Sequence, residues 1–445
     1  MKVNTYKVST IYTRLSCLKE HGPLTVTVPG SKSLTNRALL LATLARGTSI
    51  LRGVLFSDDS RHFLKCVQDL GFETEVNEEE RKVTVTGLGG ALPKKEAWQY
   101  VGSAGTAARF LTAYLGISEG TFHMDASEQM RKRPMAPLLT SLQELGCEVV
   151  YEGAEGYFPF TLKGNGFRKQ AITVDIEHSS QFLSALLIAA CLSPKDFVIH
   201  VKGSHGMSYI EITRRMMEQF GVKAFASFDG LNYTIPAGQK YGARDYQIEP
   251  DASAAAYFYG MSMILGVPVK VAHITFDSMQ GDVAFLRILE KMGAVLTEEP
   301  DGILLTPPAA GKYHGVDVDM SSCSDQAITL AALAPFADAP TTIRGIGHIR
   351  YQECNRMNAI VTELNKMGIC CEETETTITI HPGKPKPSLV DTYDDHRMAM
   401  GFSLIGLRAD GIEIDNPGCC RKTFENYFEC LDECVKELLN STDTK

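Results

Sequence analysis

Polar residues gather at the mouths of apolar helices along this 445-residue chain, and their types are those of acid–base chemistry on an anion. In VPGSKSLTNRALLLA, Val28 to Ala42, the residues Lys32, Ser33, Asn36 and Arg37 open a helix whose continuation reads as a buried face. Ser31 or Ser33 is a candidate N-cap there. A helix start leaves N–H groups unpaired and carries partial positive charge, so added hydroxyls, a lysine and an arginine make a receptor for phosphate or carboxylate. VGSAGTAARFLTAYL follows the same plan: Gly102 and Gly105 permit close backbone approach to a ligand, with Thr106 and Arg109 on the first turns. EHSSQFLSALLIAA puts Ser179, Ser180 and Gln181 in capping position, DMSSCSDQAITLAALA brings Asp325, and TYDDHRMAMGFSLIGL brings Asp394, Asp395, His396 and Arg397. A sixth set is Glu353 and Arg356 in YQECNRM with Lys422 in RKTFENYF. Asp325 and Glu353 are carboxylates suited to proton transfer, beside cations suited to holding anionic groups. Each stretch by itself also reads as an ordinary capped helix with solvated charges. No Walker loop, nucleotide fingerprint, HExxH or CxxC occurs, so chemistry without metal or cofactor is expected.

A repeat positions these stretches. LKCVQDLGFETEV, LTSLQELGCEVVY, TRRMMEQFGVKAFA, LRILEKMGAVLTEE and VTELNKMGICCEE share one design: an amphipathic helix, a stopping glycine, then a short alternating strand. The glycines Gly71, Gly146, Gly221, Gly293 and Gly368 recur at spacings of 75, 75, 72 and 75 residues. Strand signals follow each helix in VTVTGLG, YFPFTLKG, LNYTIPAG, GILLTPP and TTITIHPG, and FENYFECLDECVKELL supplies a sixth helix. The period is longer than that of thin solenoids, so each unit is a sizeable α/β module of βαβαββ type. Six units divide into two domains of three. One is expected to comprise residues 1–29 and 247–445, with the N-terminal segment joining the C-terminal half; the other is 30–246. A small-molecule site is expected in the cleft between them.

Composition narrows the function classes. Hydrophobic residues are 44% and charged residues 22%, the balance of a globular protein. The net charge of −9, with no basic stripe, argues against a nucleic-acid partner. The best candidate for a membrane span, FLSALLIAACL (Phe182 to Leu192), is too short and reads as a buried helix. MKVNTYKVST lacks the apolar centre of a signal peptide, so a cytoplasmic protein is expected. Twelve cysteines, several adjacent and none in CxxC spacing, read as free thiols packing as small apolar residues.

Taken in order, PGSKSLTNRALLLA, SAGTAARFLTA, RKRPMAPL, SSQFLSALL, DDHRMAMGFSL and KTFENYF resemble the enolpyruvyl transferases, from about Val26 to Leu431. The resemblance implies an inside-out α/β barrel pair, two domains of three repeats. It implies a monomer that uses no cofactor and moves the enolpyruvyl group of phosphoenolpyruvate to a hydroxyl of shikimate 3-phosphate, releasing phosphate. Lys32, Ser33 and Arg37 would hold substrate anions, with Ser33 and Arg37 on the shikimate carboxylate. Ser179, Ser180 and Gln181 would line the acceptor phosphate, with Tyr209 nearby. Gly105, Arg356, Arg397 and Lys422 would face phosphoenolpyruvate, and Thr106 belongs to the same binding set. Asp325 would take the hydroxyl proton and Glu353 would protonate the methylene carbon. Lys32 joins these two as a catalytic candidate.

Departures from the family pattern fall among the same residues. Gln129 stands where arginine is usual, Gln352 where lysine is, Asn355 where aspartate is, and His348 where asparagine is common. Gly206 replaces a serine that helps hold the acceptor phosphate, and Ser103 replaces an asparagine. A charge-assisted hydrogen bond contributes about 1.5–3 kcal/mol, so each lost cation corresponds to tenfold or more in binding. Three readings follow: the family activity with an altered site, transfer to another acceptor without the phosphate, or a weakly active paralogue.

Overall fold

The computed structural model describes residues 5–15, 22–204, 206–308 and 312–440. Six helices are buried along nearly their whole length: Lys32–Leu44, Gly105–Ile117, Gln181–Ala190, Ala252–Leu265, Ala327–Leu333 and His396–Gly406. Their runs of Ala and Leu are apolar on every side, as a helix surrounded by protein requires. Six others are amphipathic: Asp58–Asp69, Ala136–Leu145, Met207–Gln219, Ala284–Lys291, Arg356–Lys366 and Tyr427–Asn440.

Five of the amphipathic helices end at the predicted glycines, whose φ values run from 78° to 107°. The closure is the same each time. At Gly146, the glycine N–H donates to Gln143 O and the next N–H, of Cys147, donates to Leu142 O, both at 3.0 Å. This is the Schellman pattern, and its left-handed glycine turns the chain sharply into the following strand.

The strands confirm the βαβαββ order. Glu96–Tyr100 pairs parallel with Gly120–Asp125 across the buried helix Gly105–Ile117. After Ala136–Leu145, the strands Glu148–Tyr151 and Phe160–Gly164 complete an antiparallel hairpin, with Phe160–Gly164 beside Gly120–Asp125. Two more sheets follow this chain order, and two share its strand arrangement with a first strand supplied from a distant part of the chain, as where Asp245–Gln247 runs parallel to Arg46–Arg52. The sixth has three strands: Ser388–Val390 runs parallel to Ile412–Asp415, and the place of the hairpin is taken by Thr5–Lys7, with Thr5 opposite Asp415. Leu24–Val26 likewise pairs parallel with Val269–Ala272. The N-terminal segment thus completes two sheets built by residues more than two hundred positions away.

The chain divides into two compact units, Gly30–Glu249 and Met1–Pro29 with Pro250–Lys445, each holding three sheets. Inside the latter, Ala252–Leu265, Ala327–Leu333 and His396–Gly406 pack on one another. Glycines let them approach: a Cβ at Gly401 would lie 2.6 Å from Ile328 Cγ2, and one at Gly260 2.9 Å from Leu404 Cδ1. In the other unit Gly105–Ile117 packs against both Lys32–Leu44 and Gln181–Ala190. The strands bury alternate residues against these helices. In Glu96–Tyr100, Ala97 and Gln99 face inward while Glu96, Trp98 and Tyr100 are exposed. Helices inside and sheets outside are the predicted inside-out arrangement. Among the described residues no helix is long and apolar enough to cross a membrane, and the described cysteines are free thiols.

Candidate active site

Arg356 gathers the predicted residues of the unit Met1–Pro29 with Pro250–Lys445. It is the first residue of Arg356–Lys366, a helix capped by Asn355, whose side chain accepts from Asn358 N at 3.2 Å. Arg356 is 1% exposed, and its five N–H donors meet five acceptors. Nε donates to Asp395 Oδ2 at 2.7 Å and Nη2 to Asp395 Oδ1 at 3.3 Å. Nη2 also reaches Glu353 Oε2 at 2.8 Å, and Nη1 reaches Asp325 Oδ1 at 3.0 Å and Gln352 Oε1. Burial alone would lower the pKa of Arg356, but the charges of Asp395, Glu353 and Asp325 outweigh it and push the value up.

Two further cations complete the cluster. Arg397 Nη2 donates to Asp325 Oδ2 at 2.7 Å and lies 3.3 Å from Ser253 Oγ, while its Nη1 lies 3.3 Å from Tyr257 Oη. Lys422, 6% exposed, ends the short 3-10 helix Pro417–Lys422 and sits 3.2 Å from Glu353 Oε1. Asp325 rides on a 3-10 turn, Ser324–Gln326, ahead of Ala327–Leu333. His348 Nε2 lies 2.8 Å from Ser324 Oγ on that same turn. Three cations therefore face three carboxylates, the two arginines through charge-assisted hydrogen bonds and Lys422 through its charge alone, 3.2 Å from Glu353. The two carboxylates suited to proton transfer share one guanidinium.

Asp395 is the residue sequence reading undervalued here. DDHR reads as a helix cap, and Asp395 does cap His396–Gly406, accepting from Arg397 N at 2.9 Å. With no exposed surface it is also the bidentate partner of Arg356. A cap and an ion pair look identical in sequence.

In the unit Gly30–Glu249, the N-terminal ends of three buried helices carry the other predicted residues. Lys32 opens Lys32–Leu44, with Nζ 3.7 Å from Asp59 Oδ2, and Ser103 Oγ lies 3.4 Å from Asp59 Oδ1. Ser31 holds the N-cap position in extended backbone without a side-chain cap bond. Asn36 Nδ2 donates to Thr106 Oγ1 at 2.5 Å, tying this helix to Gly105–Ile117. Arg37 turns inward: Nε donates to Thr213 Oγ1 at 2.8 Å, Nη1 to Ser33 O at 3.0 Å and Nη2 to Tyr209 O at 3.2 Å. Burial lowers its pKa to about 10, partly offset by Tyr209. Among the described residues no carboxylate pairs with it.

Gly105 has no room for a side chain. A Cβ there would lie 2.9 Å from Arg109 Nη1, 3.0 Å from Arg133 Nη1 and 3.2 Å from Gln181 Oε1. Two guanidiniums thus converge on this helix start. Arg133, quoted only within RKRPMAPL, was not among the predicted site residues; the signal that could have found it is the run of cations beside Gln129. Gln129 itself is half-buried on the short helix Glu128–Arg131, whose Arg131 is engaged by Asp125 at 2.7 Å.

Ser180 occupies the N-cap position of Gln181–Ala190, and Ser179 Oγ accepts from Gln181 N at 3.3 Å. Gln181 Oε1 is buried without a hydrogen-bond partner. Gly206 has φ +65°, and a Cβ there would lie 2.5 Å from Ser180 Oγ and 3.6 Å from the Tyr209 ring. A serine at 206 would clash with Ser180, which accounts for the glycine in this backbone. Among the described residues no group of His, Cys, Asp or Glu could hold a metal ion.

The profile of the EPSP synthase (3-phosphoshikimate 1-carboxyvinyltransferase) family matches residues 22–431. The 3-phosphoshikimate 1-carboxyvinyltransferase of Nostoc punctiforme is 44% identical over 405 residues, covering 91% of this chain and 94% of that one. Its counterpart in Vibrio atlanticus is 40% identical over 410 residues, with 91% and 95% covered. A solved EPSP synthase structure from Acinetobacter baumannii shares the fold with a TM-score of 0.79 over 97% of both chains, at 24% identity. The chain belongs to the EPSP synthase (3-phosphoshikimate 1-carboxyvinyltransferase) family.

Proposed function

We propose that the chain is a working 3-phosphoshikimate 1-carboxyvinyltransferase. It transfers the enolpyruvyl group of phosphoenolpyruvate to a hydroxyl of shikimate 3-phosphate and releases inorganic phosphate, a step of the shikimate pathway. The observation that carries this reading, beside family membership, is the meeting of Asp325 and Glu353 on Arg356 with Arg397 and Lys422.

In the proposed mechanism Asp325 removes the acceptor hydroxyl proton as that oxygen bonds to C2 of phosphoenolpyruvate. Glu353 delivers a proton to C3, giving a tetrahedral intermediate. Loss of a C3 proton and cleavage of the C2–O bond to phosphorus then release phosphate and restore the double bond. Arg356, Arg397 and Lys422 hold the phosphoenolpyruvate anion. Every donor of Arg356 is already engaged, so the substrate has to displace one partner; Gln352, the neutral one, yields at least electrostatic cost. On the other unit, Lys32 and Ser33 bind substrate anions at a helix start, and Ser179, Ser180, Gln181 and Tyr209 take the acceptor phosphate. Arg37 takes the acceptor carboxylate with the donors it does not use on Thr213, Ser33 and Tyr209. Thr106 supports this end of the site through Asn36. Arg133 and Arg109 supply positive charge near Gly105, while Gln129 supplies none. The enzyme is read as a cytoplasmic monomer that needs no cofactor.

Phosphate release from phosphoenolpyruvate, followed with shikimate 3-phosphate and with plain shikimate, tests the activity. Rapid release with the phosphorylated acceptor alone, with the product identified by mass spectrometry, is the expected result. Release with shikimate alone would mean that Gly206 marks a different acceptor, and silence with both would remove the assignment. Gln129→Arg adds a cation on the phosphoenolpyruvate side. It should lower KM for phosphoenolpyruvate by about tenfold, the effect of one charge-assisted hydrogen bond. An unchanged KM would mean that Arg133 already fills that role.

A further inference from the structure

One buried carboxylate takes no part in the mechanism above. Asp282 lies on the 3-10 turn Gly281–Val283, 7% exposed, and its two oxygens point to the two supports of Asp325. Oδ2 accepts from Ser253 Oγ at 2.8 Å. With its proton committed to Asp282, Ser253 presents lone pairs to Arg397 Nη2 at 3.3 Å, and that same nitrogen donates to Asp325 Oδ2 at 2.7 Å. Oδ1 accepts from Gln326 Nε2 at 3.4 Å, and Gln326 is the chain neighbour of Asp325 on the turn Ser324–Gln326. Gln326 is anchored in turn by Thr329, whose Oγ1 donates to Gln326 Oε1 at 3.1 Å. Two separate paths therefore run from Asp282 to Asp325, one through the hydrogen bonds of Ser253 and Arg397 and one through the hydrogen bond to Gln326 and the backbone that joins it to Asp325.

We propose that Asp282 is a positioning residue for proton transfer: through Ser253 and Gln326 it orients Arg397 and Asp325, and its charge offsets part of the Arg397 charge so that Asp325 accepts a proton more readily. The inference rests on the reading of Asp325 as the base. The groups that face Asp282 are Asp325 on the 3-10 turn, Arg397 on His396–Gly406, Asp251 at the cap of Ala252–Leu265, and the buried Cys323. Burial, followed by the charge of Asp325, pushes the Asp282 carboxyl up to about 6, while Arg397 and the Ser253 hydrogen bond oppose the rise. Asp282 therefore changes charge in a pH range where the enzyme can be assayed. Below that range it is neutral, and Arg397 binds Asp325 without competition.

The test is the pH profile of kcat for wild type, Asp282→Asn, Ser253→Ala and Asp325→Asn. Wild type is expected to lose kcat as pH falls through about 6. Asp282→Asn should show about tenfold lower kcat at pH 7.5 with KM for both substrates within about twofold, and no inflection near pH 6. Its thermal midpoint at pH 7.5 should not fall, because a neutral amide replaces a buried charge. Ser253→Ala cuts one path while leaving the Asp282 carboxyl in place and should lower kcat in the same direction, which keeps the test open if Asp282→Asn does not fold. Wild-type kcat and an unshifted acid limb in both Asp282→Asn and Ser253→Ala would overturn the proposal while an inactive Asp325→Asn left the mechanism standing. A fully active Asp325→Asn would overturn the mechanism itself.

Discussion

Replacing Lys32 with alanine will cut phosphate release by about a thousandfold and leave the fold intact. The loss is expected because Lys32 stands at the first position of Lys32–Leu44, where helix N–H groups and the ammonium act on one anion. Removing one donor aimed at developing charge costs about 10²–10³ in kcat. Lys32 is both an anion-binding and a catalytic candidate, which puts the effect at the upper end. Stability will change little, for three reasons. The contact with Asp59 is long, at 3.7 Å, and the lysine keeps 17% of its side-chain exposure. Asp59 lies in the first turn of Asp58–Asp69, where the helix dipole favours a carboxylate, and Ser103 Oγ stays 3.4 Å away. A cation at a helix N-terminus is itself unfavourable, so its removal offsets part of the lost pair. The net change is about 1 kcal/mol or less. Lys32→Met, which keeps most of the side-chain length and deletes the charge, should behave alike. Phosphate release and thermal unfolding on the same preparations decide it; normal turnover in either variant would remove Lys32 from the site.

The repeat was legible because the stopping glycines do a job only glycine does well. Gly71, Gly146, Gly221, Gly293 and Gly368 all take the left-handed backbone, and a spacing near 75 residues survives in sequence because each must end one helix and start one strand. The buried helices were legible for a similar reason: LALL-like runs bounded by polar caps leave few other assignments. Strand partners were harder. Nothing local in Thr5–Lys7 says that it borders Ile412–Asp415, or that Leu24–Val26 borders Val269–Ala272, since such pairings are fixed by how the whole unit closes. Polar residues divide along the same line. Candidate positions could be picked out by their place at helix starts, but who pairs with whom could not. Asp395 looked like a cap and is also an ion partner. Arg37 is marked by sequence as a cation for an anion, yet nothing in the sequence says that it lies 1% exposed against Thr213 and the Phe110 ring, 5.2 Å from its centroid. Asp59 and Asp282 carry no motif at all, and Arg133 is marked only by the run of cations in RKRPMAPL; tertiary contact alone brings each beside a residue that had been marked.

Arg356 carries the second large prediction, because it is the point where charge, packing and reactivity coincide. Arg356→Met fills much of the same volume but leaves Asp395, Glu353 and Asp325 without the guanidinium that separates them. Lys422 still faces Glu353 and Arg397 still faces Asp325, so Asp395, with no exposed surface, bears most of the loss. Breaking a buried pair from one side costs about 3–5 kcal/mol, most of it from the uncompensated charge. Turnover should disappear with it, since both proposed proton-transfer groups lose their common partner. The sign of the pH dependence follows from linkage. Carboxylates left unpaired in the folded variant have pKa values raised above those of the unfolded chain, so protonation favours the fold and stability falls as pH rises. The deficit of Arg356→Met relative to wild type should therefore be largest near pH 8 and shrink toward about pH 5. Arg356→Lys supplies one charge and three donors where five are engaged, and should recover part of the stability but little of the activity. Urea midpoints of wild type and both variants at several pH values measure all of this. A deficit for Arg356→Met that does not change with pH would mean lost packing, not unpaired charge, is what the arginine prevents.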